Sequence, residues 1–548
     1  MITSFAERFS RGQAHQIRRG QVARLSLATL GLALGSSPII GAIIAGTADA
    51  GVVHDSTGCP AIIHQAGSVT WKSIAWKVCI AGTITQSSPA VTTFGGQTVT
   101  AVGDETGVVH VLDASTGKDM PGWPQAMSTP AGAVAPIESS PTFAYFDGPN
   151  SAPDIIVAAG STWVTSTAGE VEAFSLTGKR LWVFHVGHQP GTAYGVISTP
   201  AVGDVLGNHR LQVVFGSWDH KIYVLDSAGR QLGSAYDNAD TIWSSPALYH
   251  LPGRRADDIY IGSDASGRTD ASLSGRRCAG GYLTDFRWSD NAINPDTSTT
   301  QPGLMRMWYK CLNQSIWSSP AVGVINASGR AAVVVGTSFF EQPFPSATDH
   351  VYAFYAASGI KVPGWPARTI GPAVGSPVIG TIGTSNTIAV VETAWVCAGK
   401  TQPDCGATNH SEVEAFTGGG RLIWRTKLLG PTIEGSATLV PLQGETGNDV
   451  LVGTGYGIYP LDGSNGHFLF GTNGSNQWAV VNPGCRIFST LAVAQVTSGW
   501  NAIASCGGPP AFHFPGEILA ISLPIQPTSA PAWPMFRYSD THTGSNLP

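Results

Sequence analysis

The chain has 548 residues, with 30 Lys and Arg against 36 Asp and Glu, a formal charge of −6. Its first 50 residues hold five Arg and two acids, leaving 25 basic and 34 acidic groups in the remainder. That balance excludes a nucleic-acid binder, which needs a basic surface. Only 12% of residues are charged and 67 are Gly, a composition that fits an all-β exported protein better than a helical cytosolic one.

Arg18, Arg19 and Arg24 precede an apolar stretch from Leu25 to Ala45, and Ala48-Asp49-Ala50 then offers a small-x-small cleavage site. Residues 1–50 are therefore expected to be a signal peptide or, because the run approaches spanning length, an N-terminal membrane anchor. Residues 51–67 read as an extension and residues 68–548 as one repetitive body.

A short phrase returns eight times. It is Ser87-Ser88-Pro89-Ala90-Val91 at first, then Ser139-Ser140-Pro141, Ser198-Thr199-Pro200-Ala201-Val202 and Ser244-Ser245-Pro246-Ala247. It continues as Ser318-Ser319-Pro320-Ala321-Val322, Gly375-Ser376-Pro377-Val378, Gly435-Ser436-Ala437 and Ser489-Thr490-Leu491-Ala492-Val493. At the second position of each copy the steps are 52, 59, 46, 74, 57, 60 and 54 residues, a period that marks an array of supersecondary units.

Each unit carries the same strands. In the third, a short strand at Thr199–Asp204 is followed by an apolar run, Leu211–Gly216, and then by Ile222–Asp226. A continuous apolar run suits a strand covered on both faces. A fourth, outer strand is marked by Trp123, Trp182, Trp365 and Trp424. Pro124 and Pro366 beside two of them fit an edge, where a missing N–H costs little.

Four antiparallel strands per unit, repeated radially, predict an all-β, eight-bladed β-propeller of four-stranded antiparallel blades, with seven blades as the alternative. The outer strand of the last blade could come from Pro531-Ala532-Trp533-Pro534 or from Val69-Thr70-Trp71, and both chain ends are expected to meet in one blade. Eight cysteines, all after residue 50, read as disulfides in an exported chain. Proximity suggests Cys59–Cys79, Cys278–Cys311, Cys397–Cys405 and Cys485–Cys506. The absence of a Cys-x-x-Cys pair weakens zinc and redox readings.

These repeats resemble the quinoprotein-like propeller superfamily, with its PQQ-like and FG-GAP-type repeats, over about residues 68–548. The Ser-Ser-Pro-Ala-Val phrase, the apolar run ending in Gly, the Val351-Tyr-Ala-Phe354 type of strand and the closing Trp533-Pro-Met-Phe-Arg537 with His542-Thr543-Gly544 carry the likeness. The resemblance implies quinone-dependent dehydrogenases, outer-membrane assembly scaffolds or secreted recognition proteins. The chain departs from the active members. The turns matching calcium loops, Gly203–Asn208 and Gly323–Asn326, offer one carboxylate or none, and Ca²⁺ wants several oxygen ligands. No two Cys are adjacent, whereas the dehydrogenases typically set adjacent cysteines against the cofactor ring.

The connections before the first strand and between the second and third share one face of a propeller. The second-to-third connection is long in unit four (264–281), unit five (338–350), unit six (393–411) and unit eight (507–516), and unit four adds an insertion between Ser289 and Ile316. All cysteines except Cys59 map to that face, so it reads as a stapled recognition surface. The residues ahead of each repeated Ser should ring the channel mouth. Among them Glu138, Trp243, Trp317 and Glu434 are the ligand-binding candidates, an acidic and aromatic set suited to a sugar, a cation or a peptide. The competing reading is that the Trp residues only pack.

The sequence thus reads as an exported binding or interaction platform, secreted or at the cell surface or envelope, and not as an enzyme. A protein or glycan is expected at the looped face, with no nucleic acid, no metal and no cofactor, and a membrane reached only through a possible N-terminal anchor. A monomer is expected. The alternative is a PQQ-dependent (quinoprotein) dehydrogenase with a non-standard cofactor site, which would need PQQ and Ca²⁺.

Overall fold

The computed structural model describes residues 74–129, 134–162, 169–187, 195–238, 240–264, 280–293, 300–312, 314–338, 349–383, 387–396, 410–430, 435–443, 447–469, 483, 485–508, 515–523 and 530–547. Residues 1–50, the extension 51–67 and Val69-Thr70-Trp71 lie outside this set.

Eight antiparallel sheets follow one another around a central channel. Blades 1 to 7 span 90–126, 142–185, 201–237, 247–311, 321–368, 378–429 and 438–461. Blade 8 combines 492–522 with the N-terminal strand Ile74–Ile80, which supplies its outer edge by pairing with Gly516–Ser522. The eight-bladed expectation holds. Seven blades have four strands; blade 7 has three among the described residues. Trp533 does not form an outer strand. It bridges Leu439 on the innermost strand of blade 7, at the channel. The first and last strands of the chain pair in blade 8, but its final residues, 530–547, leave that blade and run across the channel, so the two ends do not meet in one blade.

The repeated phrase now has a physical meaning. The N–H of Ser88 donates to Ser140 Oγ at 3.0 Å, that of Ser140 to Thr199 Oγ1 at 2.9 Å, and so on through Ser245, Ser319, Ser376, Ser436 and Thr490. Thr490 N–H closes the circle on Ser88 Oγ at 3.0 Å. Each blade begins by bonding to the next, and the second repeat position is Ser or Thr because the circle needs a hydroxyl acceptor there. The preceding Ser braces its own blade: Ser87, Ser198, Ser244 and Ser318 accept from the N–H of Gly103, Gly216, Gly262 and Gly336 at the end of the second strand, and Ser244 also donates to Ser318 O of the next blade. Blade 6 has Gly375 in that place. There the Thr393 hydroxyl sits 1.9 Å from where a Gly375 Cβ would be, and it donates to Gly435 O.

The apolar core lies between blades rather than within them. Ile156, Ala158 and Val171 of blade 2 pack with Val213, Phe215 and Tyr223 of blade 3, and the other interfaces repeat the scheme. Six indole N–H groups staple the rim. Trp76, Trp123, Trp182, Trp308, Trp365 and Trp424 each donate to a backbone carbonyl in the turn of the following blade, at 2.8–3.0 Å. The ring of Trp76 leaves no room for a side chain at Gly117, where a Cβ would come within 2.5 Å of it and φ is +70°. That turn therefore requires Gly. Trp76 and Trp308 belong to the set although the sequence markers covered only four members.

The C-terminal segment closes the channel opposite the mouth. Phe143, Val202, Leu248, Val322, Leu439 and Val493 donate backbone N–H groups to the carbonyls of Asp540, Thr541, Thr543, Gly544, Trp533 and Pro534. Thr92 Oγ1 donates to Asp540, and Asn546 Nδ2 to Ile379 O, so all eight blades touch the segment. Arg537, 2% exposed, donates to the carbonyls of Pro246 and Pro320. Burial pulls its guanidinium down to about 9. His542 lies with its ring nitrogens 2.9 Å from Phe536 O and Pro141 O, and burial lowers it to about 4. Asp540 and His542 thus act in ring closure.

The insertion in blade 4 departs from expectation. It is a hairpin of Tyr282–Ile293 and Thr300–Cys311. Tyr282 pairs with Cys311 at the mouth end and Ile293 with Thr300 at the other, so the added length runs away from the looped face. The reason is topological: the third and fourth strands of a blade join on the side opposite the second-to-third connection.

Candidate functional site

Three of the four mouth candidates come together. Glu138, Trp243 and Trp317 line one cavity with Gln86, Ile197 and Val374, above Phe536. Glu434 lies outside the described residues. The cavity measures about 30 Å³, room for one or two waters.

One wall is an aromatic stack that crosses three blades. Trp243 and Trp317 lie 4.5 Å apart at 15°, and Trp218 lies 4.8 Å from Trp243 at 44°. Trp243 is only 9% exposed. Trp317 Nε1–H donates to Asp264 Oδ1 at 2.8 Å, which fixes the ring plane. Burial, and then Asp240, pushes Asp264 up to about 7. These Trp residues do pack, as the competing reading held, and they pack at the mouth.

The facing wall is a carboxyl pair. Glu138, 3% exposed, accepts from Thr162 N–H at 2.6 Å, from Thr162 Oγ1 at 3.1 Å and from Ser161 Oγ. Ser161 Oγ also lies 3.1 Å from Glu105 Oε2, and Thr85 donates to Glu105 Oε1. A Ser hydroxyl has one proton and cannot donate to two carboxylates at once. Burial, and then the Glu138 charge, raises Glu105 well above its ordinary value. Sequence reasoning missed Glu105, Ser161 and Asp264. Glu105 sits in the short second-to-third turn of blade 1, and its separation from Glu138 by 33 positions hides the pairing that two adjacent blades create.

The residues at the mouth do not fit a quinone or its calcium. Trp243 and Trp317 cover one face of each other, and the cavity of about 30 Å³ is far below the 300–1,000 Å³ that ligand sites of that kind occupy. Among the described residues, the mouth carboxyls do not converge as a set of three around one point.

Cys485 and Cys506 form a disulfide in blade 8, as proximity suggested. Cys79 and Cys311 are disulfide-bonded too; Cys59, Cys278, Cys397 and Cys405 lie outside the described residues. So do the long connections 265–279, 339–348, 397–409 and 509–514, whose flanking strand ends all stand at the mouth face.

Residues 61–256 match the family described as outer membrane protein assembly factor BamB, of PQQ-like repeats. No curated protein matches the sequence. Among solved structures the chain is similar to the biofilm matrix protein Bap1 of V. cholerae, at 10% identity and a TM-score of 0.50, over 83% of this chain and 91% of that one. Quinohemoprotein alcohol dehydrogenase ADHIIG of Pseudomonas putida HK5 is similar at 11% identity and a TM-score of 0.49, over 86% of this chain and 80% of that one. BamB of Moraxella catarrhalis is similar at 12% identity and a TM-score of 0.45, over 84% and 98%. The family match over residues 61–256, the repeats and the eight-bladed ring together support a β-propeller with PQQ-like repeats.

Proposed function

We propose that the chain is an exported, non-catalytic interaction platform that meets a protein or glycan at its looped face, as a monomer. The observation that carries this is closure of the channel at both ends. The hydroxyl circle and the aromatic stack narrow the mouth to about 30 Å³, and the C-terminal segment bonds to every blade on the other side. Among the described residues the channel offers surface rather than a ligand-sized pocket, and binding on a rigid scaffold falls to its loops. The long connections of blades 4, 5, 6 and 8 all leave from the mouth face. The family description, an outer membrane assembly factor, supports a place in the envelope or outside the cell.

The test is to replace residues 339–348 and 397–409 with a four-residue turn copied from Asp104–Gly107. Binding to envelope proteins and to a glycan array is then measured beside circular dichroism. Binding should fall at least tenfold with the β spectrum unchanged. Undiminished binding by a folded variant would remove the looped face from the account.

A further inference from the structure

We propose that blade 8 holds a redox-gated site for a thiophilic divalent cation, formed by Cys485, Cys506 and Glu517 when their disulfide is reduced. Among the described residues this is the group of three whose ligand atoms all lie within 4.8 Å of one another. All three side chains are buried. That spread is close to what metal bonds of about 2.0–2.3 Å can bridge.

The backbone, not the S–S bond, sets the arrangement. Cys506 ends the strand Gly499–Cys506 and pairs directly with Glu517 on Gly516–Ser522. Residues directly opposite on neighbouring strands project from one face, so the carboxyl emerges beside the sulfur. Cys485 is brought in by a two-bond bridge next to it: Arg486 N–H donates to Gly507 O and Gly507 N–H to Arg486 O, both at 3.0 Å. The Cα atoms of the two cysteines stand 5.6 Å apart. These strand and bridge bonds remain when the sulfurs separate, so reduction leaves two thiols and a carboxyl already gathered in a water-poor site.

The chemistry balances with a dithiol as reductant. It gives two electrons and two protons to the Cys485–Cys506 bond and becomes a disulfide itself. The incoming cation then displaces both thiol protons and takes the carboxylate as third ligand. Two thiolates with one carboxylate select Zn²⁺ or a similar ion over Ca²⁺ or Mg²⁺. Oxidation removes two of the three ligands at once, which makes the site a gate rather than a permanent metal centre.

The test uses the full chain, reduced with a dithiol and desalted without oxygen, with Co²⁺ as probe. One equivalent should bind with a thiolate-to-cobalt charge-transfer band that Zn²⁺ displaces, while the oxidised chain shows none. Mass spectrometry after alkylation should find Cys485 and Cys506 protected by the metal, a reading that needs no mutation. Glu517→Gln should weaken binding about tenfold or more. Absence of the band, protection at other cysteines instead, loss of the β spectrum on reduction, or unchanged affinity in Glu517→Gln would each overturn the proposal.

Discussion

Trp365→Phe separates the rim staples from ordinary aromatic packing. Trp365 is 3% exposed, and its Nε1–H donates to Gly418 O at 2.9 Å. Phenylalanine keeps an aromatic ring against Phe416, whose centroid lies 6.2 Å away, but removes the donor. A buried carbonyl left unpaired costs about 1–3 kcal/mol. The missing part of the indole adds about 1 kcal/mol of lost burial and incomplete collapse. The expected loss is therefore about 2–4 kcal/mol. Trp182 is the internal comparison. It makes the same bond to Ser227 O at 3.0 Å, but at an exposed position, where water takes over the carbonyl and Trp182→Phe should cost about 0.5–1 kcal/mol. Urea denaturation followed by circular dichroism gives both numbers without relying on Trp fluorescence, provided the slopes agree. Equal losses, or a larger loss at Trp182, would refute the reasoning.

Other outcomes follow from the same contacts. Gly117→Ala forces a Cβ to 2.5 Å from the Trp76 ring at φ +70° and should cost about 2–4 kcal/mol in the same assay; Gly253→Ala, also at positive φ but with open space around it, should cost clearly less. Arg537→Met removes both donors to Pro246 and Pro320, so hydrogen exchange at the Leu248 and Val322 amides should quicken at least tenfold while the Val99 amide is unchanged. Burial raises Asp349 to about 7, and burial with Glu172 raises Glu170 to about 7. Between the ordinary carboxylate range and pH 7 the folded state then holds more protons than the unfolded one, so their contribution is full at low pH and is lost as pH rises through about 7. His542, lowered to about 4, acts oppositely only below its ordinary value near 6.5. The denaturation midpoint should fall from pH 6.5 to pH 8, and Asp349→Asn should flatten that fall; a rising midpoint contradicts the burial argument.

The architecture was legible because its cause is local and repeated. The hydroxyl circle needs Ser or Thr once per blade, and the seven steps between those residues reappear as the spans of seven bonds, the eighth closing the ring. Trp243, Trp317 and Glu138 were placed at the mouth by the same logic, since each stands just ahead of that hydroxyl. What the sequence concealed depends on contacts between blades. Glu105 and Glu138 share Ser161 only because blades 1 and 2 stand side by side. Trp533 matches Trp123 in its Pro flanks, yet it lies at the channel because Ile74–Ile80 already fills the outer edge of blade 8. The sixth copy has Gly375 where other blades have Ser, and the space beside it is taken by the Thr393 hydroxyl, which donates to Gly435 O.

The central claim is that partners meet the looped face. It is tested most directly by placing a photoreactive side chain at Thr129 or His185, which stand at mouth-side strand ends, and at Ala228 or Ser328, in exposed turns on the opposite side. The full chain is then irradiated in its native envelope or medium. Specific adducts should arise from Thr129 and His185 and not from Ala228 and Ser328. Adducts confined to the second pair, or none from either, would contradict the assignment of the looped face as the binding surface.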